Sequence, residues 1–435
     1  MWYWECFTPH PPVIVPEVGR GREYEAAATL EGMKSLSSLA GLNPPDHILL
    51  LSPHAPFSGG LTLSLAEEYA GDFARFQAPH PHLSFRGEPE DGERLAEFLA
   101  VDFPLFSSRR KTCPLDHGSL VPLFFLRKGQ LSPPPSLIIA NPIGLSPTDA
   151  FRLGERLFDA PLRGSWALVA SGDLSHRVTP DAPAGYSPMG ALFDKTVVAA
   201  LEMNDPSPIL AMTETEREGA GECGMCSALV FLGLGKKHGI RPLSYEAPFG
   251  VGYATAFTCL HSAASLARTV LSEGVRSGKE AARKEAHRFK AFPELNERAG
   301  CFVSLKKRGE LRGCIGTITP SYPSLLEEIT ENTLSAAMRD PRFFPVASEE
   351  LEDIVLSVDI LSPPERIPSH DFLDPRKYGI IVEKGGMRGV LLPDLDGVET
   401  VEQQISIAAR KAGISSMEEA GLFRFTVNRI REGAM

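Results

Sequence analysis

Three short apolar runs stand out against the surrounding polar chain: "HILLLSP" from His47, "SLIIANP" from Ser136 and "WALVASGD" from Trp166. An unbroken apolar run of that length reads as a strand buried on both faces, and each of these stops at Pro, Gly, Asn or Asp. From the start to about Ser262 such runs alternate with helical periodicity, which predicts a largely parallel α/β sheet. The stretch from about Ala263 to Phe292 turns charged and helical. Beyond it, "CFVSLKKRGELRGCIGTI" carries a hairpin signal in "KKRGEL". A domain boundary falls at that change of texture. Residues 1–262 are expected to form the α/β domain, and residues 263–435 a smaller α+β domain with antiparallel strands.

Bulk properties narrow the function classes. The 435 residues carry a formal net charge of −11, which disfavours sequence-independent binding to nucleic acid and leaves a small molecule or a protein as the expected partner. No apolar run approaches the roughly 20 residues that would span a bilayer. The aromatic start, "MWYWECFTPH", lacks the features of a signal peptide and reads as structural. Seven cysteines without export signals point to a reducing compartment, and we expect a cytoplasmic protein.

Candidate chemistry lies where the elements end. His10 in "TPHPP" is presented by a proline-stiffened connection, and His54, His117 and His176 stand in "LLSPHAPF", "LDHGSLVPL" and "SGDLSHR". In open α/β sheets, ligands bind beyond the carboxyl ends of the strands, so such residues converge there. Two imidazoles and one carboxylate on one face of an octahedron are what non-haem Fe(II) oxygenases use, and Glu222 in "GAGECGMCSALVFLGLG" supplies a candidate carboxylate. Cys223 and Cys226 form a single C-x-x-C, which alone is not a zinc site.

"TPHPPVIVPEVG", "LLSPHAPF", "DHGSLVPLFFL" and "SGDLSH" resemble, in order, motifs of the class III extradiol dioxygenase (LigB-type) family and its MEMO relatives over roughly the first 260 residues. That resemblance implies a phosphorylase/hydrolase-like α/β fold, with His10, His54 and Glu222 as metal ligands. It also implies His176 as the acid/base residue and His117 beside it in the pocket; Asp173 is a further candidate for holding substrate. The expected cofactor is Fe(II), acting on a catechol-like aromatic and O2. The MEMO relatives use a cysteine where the oxygenases use the carboxylate, so Cys223 is the alternative third ligand. A thiolate would favour zinc or copper and a non-oxygenase role.

In the second domain, "GELRGCIGTI" and "AAMRDPRFFPVASEELEDIVLSVDILSPPERI", followed by "YGIIVEKGGMRGVLLP", resemble the AMMECR family over about 170 residues. Cys314 is a candidate nucleophile or substrate holder and Arg312 a candidate anion-binding residue, against the bland reading of a tightly packed strand. A fusion of the two modules resembles the A component of the AmmeMemoRadiSam system. This implies a radical-SAM companion and a place in protein or RNA modification, because the chain has no C-x3-C-x2-C cluster motif of its own.

Overall fold

The computed structural model describes residues 2–42, 44–128, 134–237, 240–259, 262–395 and 397–431. The chain divides into two compact units, residues 1–260 and 261–434.

In the first unit the strands are β1 (Trp2–Thr8), β2 (His47–Leu51), β3 (Leu61–Phe73), β4 (Ala78–Arg86), β5 (Leu105–Pro114), β6 (Ser136–Asn141), β7 (Trp166–Ser171), β8 (Arg241–Glu246) and β9 (Tyr253–Cys259). They form one sheet in the order β4-β3-β6-β2-β7-β1-β9-β8, with β5 paired to β3. The three apolar runs become β2, β6 and β7, and together with β1 they make the parallel centre of the sheet. Every residue of β7 is buried, as expected for a strand covered on both faces. Away from this centre the pairing is mixed, β5 lying parallel to β3 while β4 lies antiparallel to it. β3 joins β6, and β9 joins β1, antiparallel, and these wings carry the exposed positions that a central strand could not tolerate.

The helix Met225–Leu234 is buried on all sides. It lies against the helix Pro147–Leu157 at Gly154 and Gly233, where a β-carbon on either glycine would press into the opposite backbone. The turn at residues 221–224 just ahead of the helix is held by a second close approach, Gly224 against Gly172, where a β-carbon on either would meet the other's backbone.

The second unit contains β10 (Cys301–Lys307), β11 (Glu310–Gly316), β12 (Ile354–Leu361), β13 (Glu365–Ile367), β14 (Gly379–Lys384), β15 (Met387–Leu391), β16 (Gly421–Phe425) and β17 (Val427–Arg431). They form two antiparallel sheets, β11-β10-β12-β17 and β13-β16-β14-β15. The expected hairpin joins β10 to β11. Arg308 and Gly309 both take positive φ, which gives a two-residue turn the twist that suits a hairpin. The helices Ser262–Arg276 and Leu325–Met338 pack on the first sheet, and Val401–Lys411 packs on the second.

Candidate metal centre

The carboxyl ends of β1, β2 and β7 open into loops that bring histidines together. After β1, Pro9 and Pro11 flank His10, whose backbone N–H donates to Asp173 Oδ1 at 2.8 Å. After β2, the His54 N–H donates to Ser52 Oγ at 3.2 Å, and the Ser52 hydroxyl in turn donates to Asp116 Oδ1 at 2.7 Å. Asp116 also accepts the Ser119 N–H at 3.0 Å, closing the first turn of the helix His117–Lys128 and setting His117 at its start. The rings then meet: His54 and His117 lie 4.1 Å apart between centroids, and His10 lies 4.9 Å from His54.

Hydrogen bonds select the ring nitrogens that face the pocket. The Ser171 hydroxyl donates to the Gly118 carbonyl at 2.6 Å, so its oxygen accepts from His10 Nδ1–H at 2.9 Å. His10 Nε2 therefore keeps its lone pair, the arrangement by which an outer partner orients a metal-binding histidine. It lies 3.1 Å from His54 Nε2 and 3.6 Å from Cys223 Sγ. These three donor atoms lie within 4.8 Å of one another. Likewise His176 Nδ1 must donate to the Gly221 carbonyl at 2.6 Å, leaving its Nε2 as the nitrogen with a lone pair.

The donor spacing fits a single cation. With metal–nitrogen bonds of about 2.05 Å and a metal–sulfur bond of about 2.3 Å, the 3.1 Å and 3.6 Å separations correspond to angles of roughly 100° and roughly 110° at the ion. Electrostatics agree. Burial, followed by the neighbouring His54, His117 and His176, pushes His10 well below the ordinary histidine range. Burial and His54 push His117 down to about 4. Both rings are neutral near pH 7 and available as lone-pair donors. Burial and the adjacent Asp173 carboxylate push the Cys223 thiol far up, so that it would ionise only against a bound cation.

Glu222 differs from the expectation for a third ligand. Its carboxylate turns back to accept the Met225 N–H at 2.7 Å, at the start of the buried helix, and burial holds it up at about 7. The adjacent residue, Cys223, stands with the histidines instead. Asp173 lies beneath His10 rather than facing open space, its own carboxyl raised by burial to about 7. Cys226 is buried in the helix with its thiol directed at the Leu145 carbonyl. Ser52, Asp116 and Ser171 escaped the sequence reading. Only Asp116 has a local signal there, an aspartate immediately before a helix start.

In the second unit, Arg312 is committed to structure. It makes a two-point pair with Glu350 at 3.1 and 2.8 Å and donates to the Phe344 carbonyl at 3.0 Å. Cys314 accepts a hydrogen bond from the Ser304 hydroxyl at 3.2 Å. Its backbone N–H donates to Asp340, and Arg342, itself paired with Asp340, donates to its carbonyl. The loop at 340–345 thereby covers the outer edge of β11, which would otherwise offer free pairing groups.

A parallel-centred α/β sheet with histidines converging beyond its strands defines a class, and the comparisons say which one. Residues 5–256 match the family described as the catalytic LigB subunit of aromatic ring-opening dioxygenase, to which the chain belongs, and residues 264–430 match AMMECR1. More particularly, the chain shares both modules with a protein of Clostridium acetobutylicum, 35% identical over 462 residues and covering 98% of each chain. A protein of Thermotoga maritima is 54% identical over 139 residues, 32% of this chain and 80% of its own. Among solved structures, an uncharacterised protein of Pyrococcus horikoshii is 31% identical with a TM-score of 0.35, covering 39% of this chain and 90% of its own. An uncharacterised protein of Escherichia coli is 17% identical with a TM-score of 0.42, covering 59% and 99%.

Proposed function

We propose that the first unit is a metal-dependent oxidoreductase that opens the ring of a catechol-like aromatic with O2, with His10, His54 and Cys223 holding the metal. The observation that carries this reading is the convergence of His10 Nε2, His54 Nε2 and Cys223 Sγ at the carboxyl ends of the parallel strands. Fe(II) is the metal we propose first. Bound there, it would supply the electron exchange between a catecholate and O2 that spin conservation forbids between the two alone.

The protein's own groups handle position and protons. His176, fixed through Nδ1, presents Nε2 as a base for a diol proton and returns that proton to the opened product. His117, neutral and flanked by Phe76 at 5.8 Å, forms an aromatic wall against which a planar ring can lie. The balanced outcome is one ring carbon–carbon bond broken beside the diol and both oxygen atoms of O2 incorporated.

Cys223 favours a second reading. A thiolate in place of a carboxylate selects softer metals, and zinc or copper in this set would suit a MEMO-like subunit that binds without oxygenase turnover. In either case we propose a cytoplasmic setting and a radical-SAM companion for the two-module chain. Among the described residues no helix is long and apolar enough to cross a membrane.

The deciding experiment measures metal content and O2 uptake for wild type, Cys223→Ala and Glu222→Ala, each offered Fe(II), Zn(II) and Cu(I) and a panel of catechols. Fe(II)-dependent O2 uptake with yellow ring-opened products supports the oxygenase. Retention of zinc or copper with no uptake across the panel selects the second reading. Metal retention unchanged by Cys223→Ala but lost in Glu222→Ala would overturn the donor set.

A further inference from the structure

The backbone on either side of His176 is tied, directly or at one remove, to one buried carboxylate. Asp194, in the helix Pro188–Met203, is fully buried, and no step of the proposed ring opening uses it. Its Oδ1 accepts the Ser175 N–H at 2.8 Å, and its Oδ2 accepts the Tyr245 hydroxyl of β8 at 2.9 Å. Gly252 lies directly against it, where a β-carbon would collide with Oδ2, so the carboxylate has no room to turn. Burial raises it to about 6, which leaves it ionised near pH 7 and makes both hydrogen bonds charge-assisted.

Ser175 passes this constraint on. Its hydroxyl donates to the Ala220 carbonyl at 2.7 Å and accepts the Arg177 N–H at 3.0 Å, and its own carbonyl accepts the Gly252 N–H at 2.9 Å. His176 is thereby clamped on both sides. The next carbonyl after Ala220, that of Gly221, accepts the His176 N–H at 3.2 Å and its Nδ1–H at 2.6 Å. Ring and acceptor thus hang from the same serine. The ring stands near the other histidines, since its charge acts on both His10 and His54.

We propose that Asp194 is a positioning residue: acting through Ser175, it holds His176 as the Nδ1–H tautomer, with Nε2 free to take and return a proton. This rests on the reading of His176 as the acid and base of ring opening, and adds to it how the required tautomer is imposed from outside the pocket. An imidazole whose partner is not fixed can carry its proton on either nitrogen, and only one of the two forms leaves Nε2 as a base.

The test uses the full chain with isotope-labelled histidine, loaded with diamagnetic Zn(II), and reads the His176 tautomer from its ring nitrogen shifts in NMR, assigned by their loss in His176→Gln. Wild type should show a protonated Nδ1 and a bare Nε2. Asp194→Ala, which accepts nothing from Ser175, should give a mixture of the two tautomers, and Ser175→Ala should do the same. Asp194→Asn, whose amide oxygen can still accept from Ser175, should restore the wild-type pattern. With Fe(II) and a catechol, Asp194→Ala should lose about 100-fold in kcat while KM stays within about twofold. A wild-type tautomer pattern in folded Asp194→Ala, or in Ser175→Ala should the first variant not fold, would overturn the inference and leave the ring-opening reading standing. A tautomer mixture in the variants with no catechol turnover by wild type would support the positioning role and overturn the ring-opening reading.

Discussion

Ser171 is the residue whose removal tests how the metal donors are oriented. Its hydroxyl is fully buried, accepts from His10 Nδ1–H at 2.9 Å and donates to the Gly118 carbonyl at 2.6 Å. Ser171→Ala leaves both groups without that partner in a place water does not reach. Unsatisfied buried groups cost about 1–3 kcal/mol each, so the metal-free first unit should lose about 3 kcal/mol of stability. His10 can recover part of this by moving its proton to Nε2, but that places the proton on the nitrogen that faces His54 and Cys223. Zn(II) affinity should then fall about 10- to 100-fold, the usual effect of losing such an outer partner. Competition against a chromophoric chelator reads the affinity, and denaturant unfolding followed by tryptophan fluorescence reads the stability, because Trp2, Trp4 and Trp166 all lie in this unit. An affinity within twofold of wild type together with an unchanged unfolding midpoint would refute the reasoning.

Three further outcomes are expected. Burial holds Glu222 at about 7, while an unfolded glutamate titrates near about 4.3. Between these values the folded state binds the extra proton, so stability falls as pH rises, and Glu222→Gln should gain on wild type from pH 5 to pH 7.5 in metal-free thermal unfolding; a pH-independent difference would contradict this. Arg312→Met should cost the second unit about 2 kcal/mol and expose the 340–345 loop to proteolysis, because the Glu350 pair and the Phe344 carbonyl lose their common donor; unchanged cleavage kinetics would count against that structural role. Zn(II) should protect Cys223 from thiol alkylation, read by peptide mass mapping, and an unaltered labelling rate would remove it from the donor set.

Much of the fold was legible because its central strands are apolar except at their ends, and few other arrangements bury β2, β6 and β7. The hairpin after β10 was legible from its turn residues. The antiparallel wings were not, since β3 and β4 mix exposed and buried positions and their partners are set by tertiary pairing. At the site, the four histidines could be found because each sits at an element's end. The choice between Glu222 and Cys223 could not. Two adjacent residues in one turn point in different directions, and the unpaired N–H of Met225 draws the carboxylate away. Ser171 was invisible for a similar reason: its role depends on residues 10 and 118, which only the folded sheet brings to it.

The three donor atoms come from positions 10, 54 and 223, on loops that meet only when β1, β2 and β7 are paired in register. An unfolded chain has no such set, so an ion bound there stabilises the native state by mass action, by about 4 kcal/mol when free metal is a thousandfold above its dissociation constant. Bound metal is thus thermodynamically linked to the integrity of the sheet. Lesions far from the pocket that loosen strand pairing should appear first as faster metal release.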